Sequence, residues 1–274
     1  MLDQQTNISF IGGGNMARAL IGGLLQQGFA AGNINVIEPD GEKREQLQHD
    51  FGVKVSEQLP SVQHADIVVL AVKPQQLRDL AIFLGSLLKN QLVISIAAGV
   101  RSHDLSRWLG GYQAVVRAMP NTPAQVQAGV TALFAMPGVN ARQREQASAL
   151  LDAVGRTLWL TEENQMDAVT AISGSGPAYV FYFIEALQQA ALDLGLTPEQ
   201  ARLLSLHTFA GASALAAQSS DSANNLREQV TSKGGTTERA LLSMESAQVK
   251  AAIVQAATAA AERSRELGDL LGKN

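Results

Sequence analysis

The stretch Ile8-Ser9-Phe10-Ile11-Gly12-Gly13-Gly14-Asn15-Met16-Ala17 decides the fold of this chain. Four β-prone residues lead directly into three glycines, and a helical pattern follows. The turn fits G-x-G-x-x-A, in which Gly12 permits a tight turn, Gly14 lets a pyrophosphate approach the backbone, and Ala17 allows close helix–strand packing. Because backbone N–H groups at such a helix start face negative phosphates, the stretch predicts a strand–turn–helix unit that binds a dinucleotide.

Further β-rich runs alternate with segments of helical length up to about Leu160. Several runs are continuously apolar, as expected of strands that are covered on both faces. Helix-length connections between them predict right-handed βαβ units and a mostly parallel sheet. The predicted strands are Ile8–Ile11, Ile34–Glu38, Val53–Val55, Ile67–Val72, Leu92–Ile96, Ala114–Arg117, Val130–Ala135 and Thr157–Leu160.

After Thr161 the strand signals stop and alanine- and leucine-rich helical patterns follow. One helix is predicted from Pro177 to near Gly195, another from the start signal Thr197-Pro198-Glu199-Gln200, and a last one over roughly Ser246–Leu267. Small or apolar residues occupy more than one helix face, which favours helices from a second subunit as partners. The predicted fold class is α/β: a Rossmann-type doubly wound sheet in residues 1–163, then an all-α dimerisation and substrate-binding domain in residues 164–274.

Composition narrows the classes of function. The 274 residues carry a net charge of −4 and no basic block, so nucleic-acid binding is not expected. The chain has no cysteine, which excludes disulfides, thiol catalysis and zinc–thiolate sites, and we expect no bound metal. The start lacks the basic region of a signal peptide, and the long uncharged stretches are interrupted by polar residues or glycine, so we expect a cytoplasmic protein without membrane spans.

Three motifs follow predicted strands at the edge where a doubly wound sheet binds its ligands. Ala71–Gln75 contains Lys73 and Pro74, Ser95–Val100 contains Ala97 and Ala98, and Arg117–Pro123 contains Asn121 between two prolines. Each motif alone is compatible with ordinary turn chemistry. Because the three motifs share one sheet edge, together they predict the rim of a cofactor site.

The second predicted strand ends at Glu38, where an acid usually binds the ribose 2′-hydroxyl and favours NAD. Lys43 and Arg44 lie close enough in sequence to bind a 2′-phosphate instead. They are equally compatible with a solvated helix face, so the residues alone leave the choice of cofactor open.

Two loops stand out in the helical half. Ser173-Gly174-Ser175-Gly176-Pro177 precedes a long helix and is compatible with a simple hinge. In Val230–Glu238, two glycines and two threonines enter a helix, where free N–H groups and a positive dipole end would receive a small carboxylate. An ordinary capped helix start is the alternative interpretation of this second loop.

Taken in order, six motifs between residues 12 and 245 closely resemble the pyrroline-5-carboxylate reductase family. They are Gly-Gly-Gly-Asn-Met-Ala, Ala-Val-Lys-Pro-Gln, Ser-Ile-Ala-Ala-Gly-Val, Arg-Ala-Met-Pro-Asn-Thr-Pro, Gly-Ser-Gly-Pro-Ala-Tyr and the Gly-Gly-Thr-Thr loop. The last loop is the most specific, because it belongs to that family's signature and not to Rossmann proteins in general. The resemblance implies reduction of 1-pyrroline-5-carboxylate to L-proline with NADPH, with NADH also serving. It also implies a homodimer through the C-terminal helices that assembles into a decamer.

The same resemblance assigns site residues. Gly12, Gly14, Asn15 and Met16 would contact the cofactor phosphates, and Lys73, Ala97 and Asn121 would line the cofactor. Glu38, Pro74 and Ala98, which the strand-end motifs above place at the same edge, would complete the cofactor site. Ser232, Gly234, Gly235, Thr236 and Thr237 would hold the substrate, with Thr237 as the catalytic residue near the ring nitrogen. Two departures from the family pattern concern the loop shape: Lys233 stands where a proline is common, and Ser220 and Ala223 where an acid and a proline are common.

Three alternatives change the activity, and the first of them keeps the predicted architecture. The chain could be another imine or keto-acid reductase, a non-catalytic dinucleotide-binding protein, or an adenosylmethionine-dependent methyltransferase. The Ala-Val-Lys-Pro-Gln and Gly-Gly-Thr-Thr motifs do not support the methyltransferase. Parallel assays with NADPH, NADH and a panel of cyclic imines and keto acids would separate the other two.

Overall fold

The computed structural model describes residues 2–273, which form two compact units. The first unit contains a sheet with its helices up to Ser175, together with the end of the last helix from Ala260 onward. The second unit comprises Gly176–Ala259 and is helical.

Eight strands form one sheet in the order β3-β2-β1-β4-β5-β6-β7-β8. All neighbouring strands are parallel except β6 and β7, which pair antiparallel. The strands are β1 (Ile8–Ile11), β2 (Ile34–Ile37), β3 (Lys54–Ser56), β4 (Ile67–Leu70), β5 (Leu92–Ser95), β6 (Val115–Met119), β7 (Gly129–Ala135) and β8 (Gly155–Trp159). The predicted α/β fold class, with its mostly parallel sheet, is therefore confirmed.

The first unit carries six helices and the end of a seventh. They are α1 (Asn15–Gln26), α2 (Gly41–Phe51), α3 (Pro74–Gly85), α4 (Ser102–Trp108), α5 (Ala141–Leu151) and α6 (Gln165–Val169). A π-helical turn over Thr170–Gly174 follows α6. Short 3₁₀ turns connect several strands, at Ala31–Asn33, Leu59–His64, Thr122–Val126 and Asp152–Val154.

Successive side chains of the central strands point to opposite faces of the sheet, which explains why helices cover both faces. In β1, Ile8 and Phe10 belong to one buried cluster, which includes Leu20 of α1 and Leu47 of α2. The next residue, Ile11, belongs to a second cluster, which α3 and α4 complete with side chains such as those of Leu77, Leu84 and Leu105. The continuously apolar strand sequences thus face helices on both sides, as parallel sheets require.

The second unit consists of α7 (Gly176–Asp193), α8 (Pro198–Gln218), α9 (Ala223–Gln229), α10 (Thr236–Ser246) and the first part of α11 (Val249–Gly272). Helix α8 begins with the predicted capping box, in which Thr197 and Gln200 exchange hydrogen bonds with each other's backbone. Helix α11 begins at Val249 and ends at Gly272, so the predicted end at Leu267 is five residues too early. Within residues 2–273, no helix combines the length and the hydropathy needed to cross a membrane.

Large apolar side chains remain exposed on the second unit. Neither α7 nor α10 has a buried residue in the isolated chain. Side chains that are more than half exposed include Phe181, Tyr182, Leu194, Leu203, Leu204, Leu215, Leu242 and Val254. An exposed apolar surface of this extent is typical of a protein–protein contact.

Candidate functional site

A cleft of about 570 Å³ lies at the carboxyl edge of the sheet in the first unit. The turns after β1, β2 and β4 and the segment after β3 form its walls, because parallel strands bring their carboxyl ends to one edge. Of the predicted cofactor residues, Gly12, Gly14, Glu38 and Lys73 line this cleft. Glu57 and Leu59 also line it, although no sequence motif marks them. Their position directly after the predicted third strand was the available signal.

The glycine turn has the geometry that a pyrophosphate site requires. Gly12 has a φ of +98°, and a Cβ there would lie 2.8 Å from the carbonyl oxygen of Ala71. Gly14 has a φ of −71° and precedes α1, and a Cβ there would meet no atom within 4 Å. No side chain caps this helix, so the first N–H groups of α1 are open to a ligand in this chain.

Glu38 is a buried carboxylate, with 7% of its surface exposed. Its Oε2 accepts a hydrogen bond from the Gly13 N–H at 2.9 Å, and its Oε1 accepts one from the Asp40 N–H at 3.2 Å. The side chain therefore ties the turn after β2 to the glycine turn after β1. Both carboxylate oxygens already have a backbone donor within the chain.

The two neighbouring cations occupy different positions. The Arg44 guanidinium donates to the carbonyl oxygens of Glu38 and Pro39, at 2.7 and 2.8 Å, which fixes it beneath the turn. Lys43 lines the cleft, and its exposed ammonium lies 3.7 Å from an Asp40 carboxylate oxygen. Lys43 would give up one long contact with Asp40 on turning toward an anion in the cleft. Arg44 would have to give up both carbonyl hydrogen bonds and its contact with the Glu57 carboxylate at 3.5 Å.

The predicted residues after β5 and β6 lie farther along the same edge, outside the cleft. Ala97 is buried and Ala98 is exposed in the segment between β5 and α4. The Asn121 side chain accepts from the Val130 N–H at 2.9 Å and donates to the Ser173 carbonyl at 3.2 Å. Asn121 therefore fastens the end of β6 to β7 and to the π-helical turn, a structural role that its motif did not reveal.

The remaining cofactor residues flank the cleft at helix starts. Asn15 and Met16 are the first two residues of α1, and Pro74 is the first residue of α3, directly after Lys73. Asn15 and Met16 contribute backbone N–H groups at the start of α1. Pro74 has a fixed φ that suits the first position of α3. Both helix starts face the carboxyl edge of the sheet.

The predicted substrate loop belongs to the second unit and leads into α10. Gly234 has a φ of +76°, and its N–H donates to the Glu238 carboxylate at 2.7 Å. The Gly235 N–H donates to the Ser232 carbonyl at 3.0 Å, and Gly235 precedes the helix without a side-chain cap. The loop is thus a closed turn that leaves the first helical N–H groups, those of Thr236 and Thr237, available to a carboxylate.

Within residues 2–273, no group of three or more His, Asp or Glu side chains is placed to hold a metal ion. The chemistry that this arrangement allows is positioning: backbone N–H groups and hydroxyls for anions, and a cleft at a sheet edge for a dinucleotide.

Two family models match the chain. A model described as pyrroline-5-carboxylate reductase dimerisation matches residues 163–267, and one described as NADP oxidoreductase, coenzyme F420-dependent, matches residues 7–99. The first covers the helical region that carries the Gly-Gly-Thr-Thr loop, and the second covers the strands that form the cleft.

Relatives and solved structures match this chain over almost its whole length. The pyrroline-5-carboxylate reductase of Pseudomonas aeruginosa is 46% identical over 268 residues, which cover 97% of this chain and 98% of the relative. The solved pyrroline-5-carboxylate reductase of Coxiella burnetii is 42% identical with a TM-score of 0.91, covering 96% of this chain and 98% of that one. A Plasmodium falciparum pyrroline carboxylate reductase with NADP bound is 28% identical with a TM-score of 0.86, covering 97% and 99%.

Proposed function

Because the chain belongs to the pyrroline-5-carboxylate reductase family, we propose roles for its residues in that reaction. It is an NAD(P)H-dependent imine reductase that converts 1-pyrroline-5-carboxylate to L-proline, the last step of proline biosynthesis. The observation that carries this conclusion is the 46% identity over 97% of the chain. The decisive assay is loss of NADPH and NADH absorbance on addition of 1-pyrroline-5-carboxylate, with 2-keto acids as the contrasting substrates.

The glycine turn and the start of α1 are proposed to bind the cofactor pyrophosphate. Gly14, where a Cβ would meet no atom within 4 Å, and the uncapped first turn of α1 support this role. They offer N–H groups and no obstructing side chain. Lys73, Pro74, Ala97, Ala98 and Asn121 would extend the site along the carboxyl edge. When bound, NAD(P)H supplies the hydride that reduces the imine carbon.

We propose NADPH as the preferred cofactor, with NADH also used. Lys43 supports a 2′-phosphate, since it lines the cleft on an exposed side chain. Glu38 supports NADH use through its negative charge, although both of its oxygens already accept backbone N–H groups. Because the two influences oppose each other, dual use is the expected result.

The loop before α10 is proposed to bind the substrate. Its uncapped helix start and its Gly234-Gly235 turn would hold the substrate carboxylate, and the Ser232 and Thr236 hydroxyls would add donors. Thr237 would orient the ring nitrogen through its hydroxyl. A protonated imine needs no strong acid from the protein, so orientation is the main demand on these residues.

Replacement of Thr237 tests the role of its hydroxyl. Thr237→Ala should lower kcat/KM for 1-pyrroline-5-carboxylate by about 10- to 100-fold, the range expected when one positioned donor is lost. Thr237→Ser keeps the hydroxyl and should retain most of the activity. Thr231→Ala is the matched control, since the Thr231 hydroxyl donates to the Arg227 carbonyl within the second unit. Equal kinetics for Thr237→Ala and Thr237→Ser would contradict the proposal.

We further propose a homodimer through the C-terminal helices that assembles into a decamer. The family model for dimerisation and the exposed apolar side chains of the second unit support the dimer. Light scattering across a dilution series would give the mass of the assembly. We also propose that residues 1–163 form the cofactor domain and that residues 164–274 form the substrate and dimerisation domain. The proposed location is the cytoplasm.

A further inference from the structure

A partly buried carboxylate outside the cleft has no role in the assignments above. Glu163 is the first residue of the region that matches the dimerisation model, and it lies just before α6. Its side chain is 21% exposed. It faces two segments that are distant in sequence, the start of α4 and the middle of β6.

Three hydrogen bonds converge on this carboxylate. The Ser102 N–H donates to Oε1 at 2.6 Å, and the Ser102 hydroxyl donates to Oε2 at 2.6 Å. The Arg117 guanidinium donates to Oε1 at 2.9 Å. Charge-assisted hydrogen bonds of this length are among the strong ones in proteins, so the three groups form a clamp. The clamp consists of Glu163, Ser102 and Arg117.

Arg117 makes the clamp sensitive to the charge of Glu163. Its side chain is only 7% exposed, and Glu163 is its ion-pair partner among residues 2–273. A buried guanidinium without its carboxylate is strongly unfavourable, so neutralising Glu163 would force Arg117 or the segment around it to move. Arg117 pairs in register with Ser95, the last residue of β5, so such a movement would act directly on the end of that strand.

The clamp holds the far end of the segment that joins β5 to α4. This segment contains Ala97 and Ala98, and Ser102 is the first residue after it. The end of α11 holds the same segment from another side: Arg101 donates to the Asp269 carboxylate at 2.6 Å, and Gly99 lies against Leu271. Since β5 lies beyond β1 and β4 on the side away from β2, this segment faces the half of a dinucleotide site that receives the nicotinamide.

We propose that Glu163 is a positioning residue, which fixes the Ala97–Arg101 segment so that it supports the nicotinamide ring at the reacting distance. The proposal rests on the proposed cofactor site. Loss of the clamp would leave the adenosine half of the site unchanged, because Glu38 and the glycine turn lie outside the clamp. It would therefore reduce kcat much more than the affinity for NADPH. A displacement of about 1 Å at a reacting centre can reduce the rate by as much as 100-fold.

The test compares Glu163→Gln with Glu162→Gln in the full-length protein. Glu162 is the adjacent, exposed residue, so its substitution removes the same charge without touching the clamp. Glu163→Gln should lower kcat by at least about tenfold with KM for NADPH changed less than twofold, and Glu162→Gln should match the wild type. Hydrogen–deuterium exchange of the cofactor-free protein should show faster exchange in residues 97–102 of Glu163→Gln, with β4 unchanged.

Other outcomes overturn the proposal. These are a kcat of Glu163→Gln within twofold of wild type, an equal loss in Glu162→Gln, or a loss of activity without faster exchange in residues 97–102. If Glu163→Gln does not fold, Ser102→Ala replaces it in the test. Its control is Ser106→Ala, because Ser106 is another buried serine of α4. A kcat of Ser102→Ala equal to that of Ser106→Ala would overturn the proposal. If the wild type does not reduce 1-pyrroline-5-carboxylate, the proposed function fails, and the exchange data alone decide the clamp.

Discussion

Substitution of two glycines in one turn should separate their structural and ligand-binding roles. Gly12→Ala places a Cβ at a φ of +98° and 2.8 Å from the Ala71 carbonyl oxygen. The left-handed backbone costs an L-residue about 1–2 kcal/mol, and forcing the segment after β4 to make room costs about 1–3 kcal/mol more. After allowance for the entropy that alanine removes from the unfolded chain, unfolding free energy should fall by about 2–4 kcal/mol.

Gly14→Ala should have the opposite pattern. Its φ of −71° suits alanine, and the new Cβ would meet no atom within 4 Å. Stability should stay within about 0.5 kcal/mol of wild type, since the loss of a glycine cap and the gain in unfolded-state entropy oppose each other. The Cβ would nevertheless occupy the side of the turn that the pyrophosphate approaches, so the Kd for NADPH should rise by about 10- to 100-fold, or about 1.4–2.8 kcal/mol.

Thermal unfolding and NADPH fluorescence titration measure the two effects separately. Gly12→Ala should lower Tm by about 5–15 °C, as expected for a chain of this size. Gly32→Ala is the matched control, because a Cβ at Gly32 would also meet no atom within 4 Å and Gly32 does not line the cleft. The two glycines do not have these separate roles if Gly14→Ala destabilises the protein as much as Gly12→Ala does, or if Gly14→Ala binds NADPH with wild-type affinity.

Three further substitutions address cofactor choice and pH. Glu38→Gln keeps one of the two backbone hydrogen bonds at best, so unfolding free energy should fall by about 1–3 kcal/mol, while the kcat/KM ratio of NADPH over NADH rises. Lys43→Gln should lower that ratio, and an unchanged ratio in both variants would contradict these roles. Burial raises the pKa of Tyr112, whose hydroxyl donates to the Gln91 carbonyl at 2.6 Å. A raised folded-state pKa adds stability that is fully present below the unfolded value of about 10 and is lost as pH rises through the folded value. Urea unfolding at pH 8 and pH 11 should therefore show a larger loss for wild type than for Tyr112→Phe, and equal losses would count against this assignment.

The strands were predictable because a buried parallel strand has a short, continuously apolar sequence. All eight predicted strands are present, and their ends differ from the prediction by at most two residues. The antiparallel pairing of β6 and β7 was not predicted, although the length of the connection between the two strands explains it. Only nine residues separate Met119 from Gly129, and a parallel crossover needs a dozen or more. The short Thr122–Val126 turn can only reverse the chain.

The site was predictable where its residues are neighbours in sequence. Glycine spacing indicated the turn at Gly12, and the end of a strand indicated Glu38. The partners of these residues were not predictable, because side-chain geometry selects them after folding. Arg44 could have reached an open cleft or the carbonyls of its own turn, and it binds the carbonyls. The clamp joins residues that are 46 and 61 positions apart, which no local pattern reveals.

Glu38, which is buried, and Glu163, which is partly buried, perform the same kind of task at one sheet edge. Glu38 accepts the Gly13 N–H and fixes the turn after β1, and Glu163 accepts the Ser102 N–H and fixes the segment after β5. Each carboxylate thus serves as a rigid acceptor for backbone in a segment that would face the cofactor. A reaction in which the cofactor supplies the hydride and the imine carries its own proton places its main demand on orientation. Acids that hold loops therefore suit such a reaction, which does not require an acid–base pair.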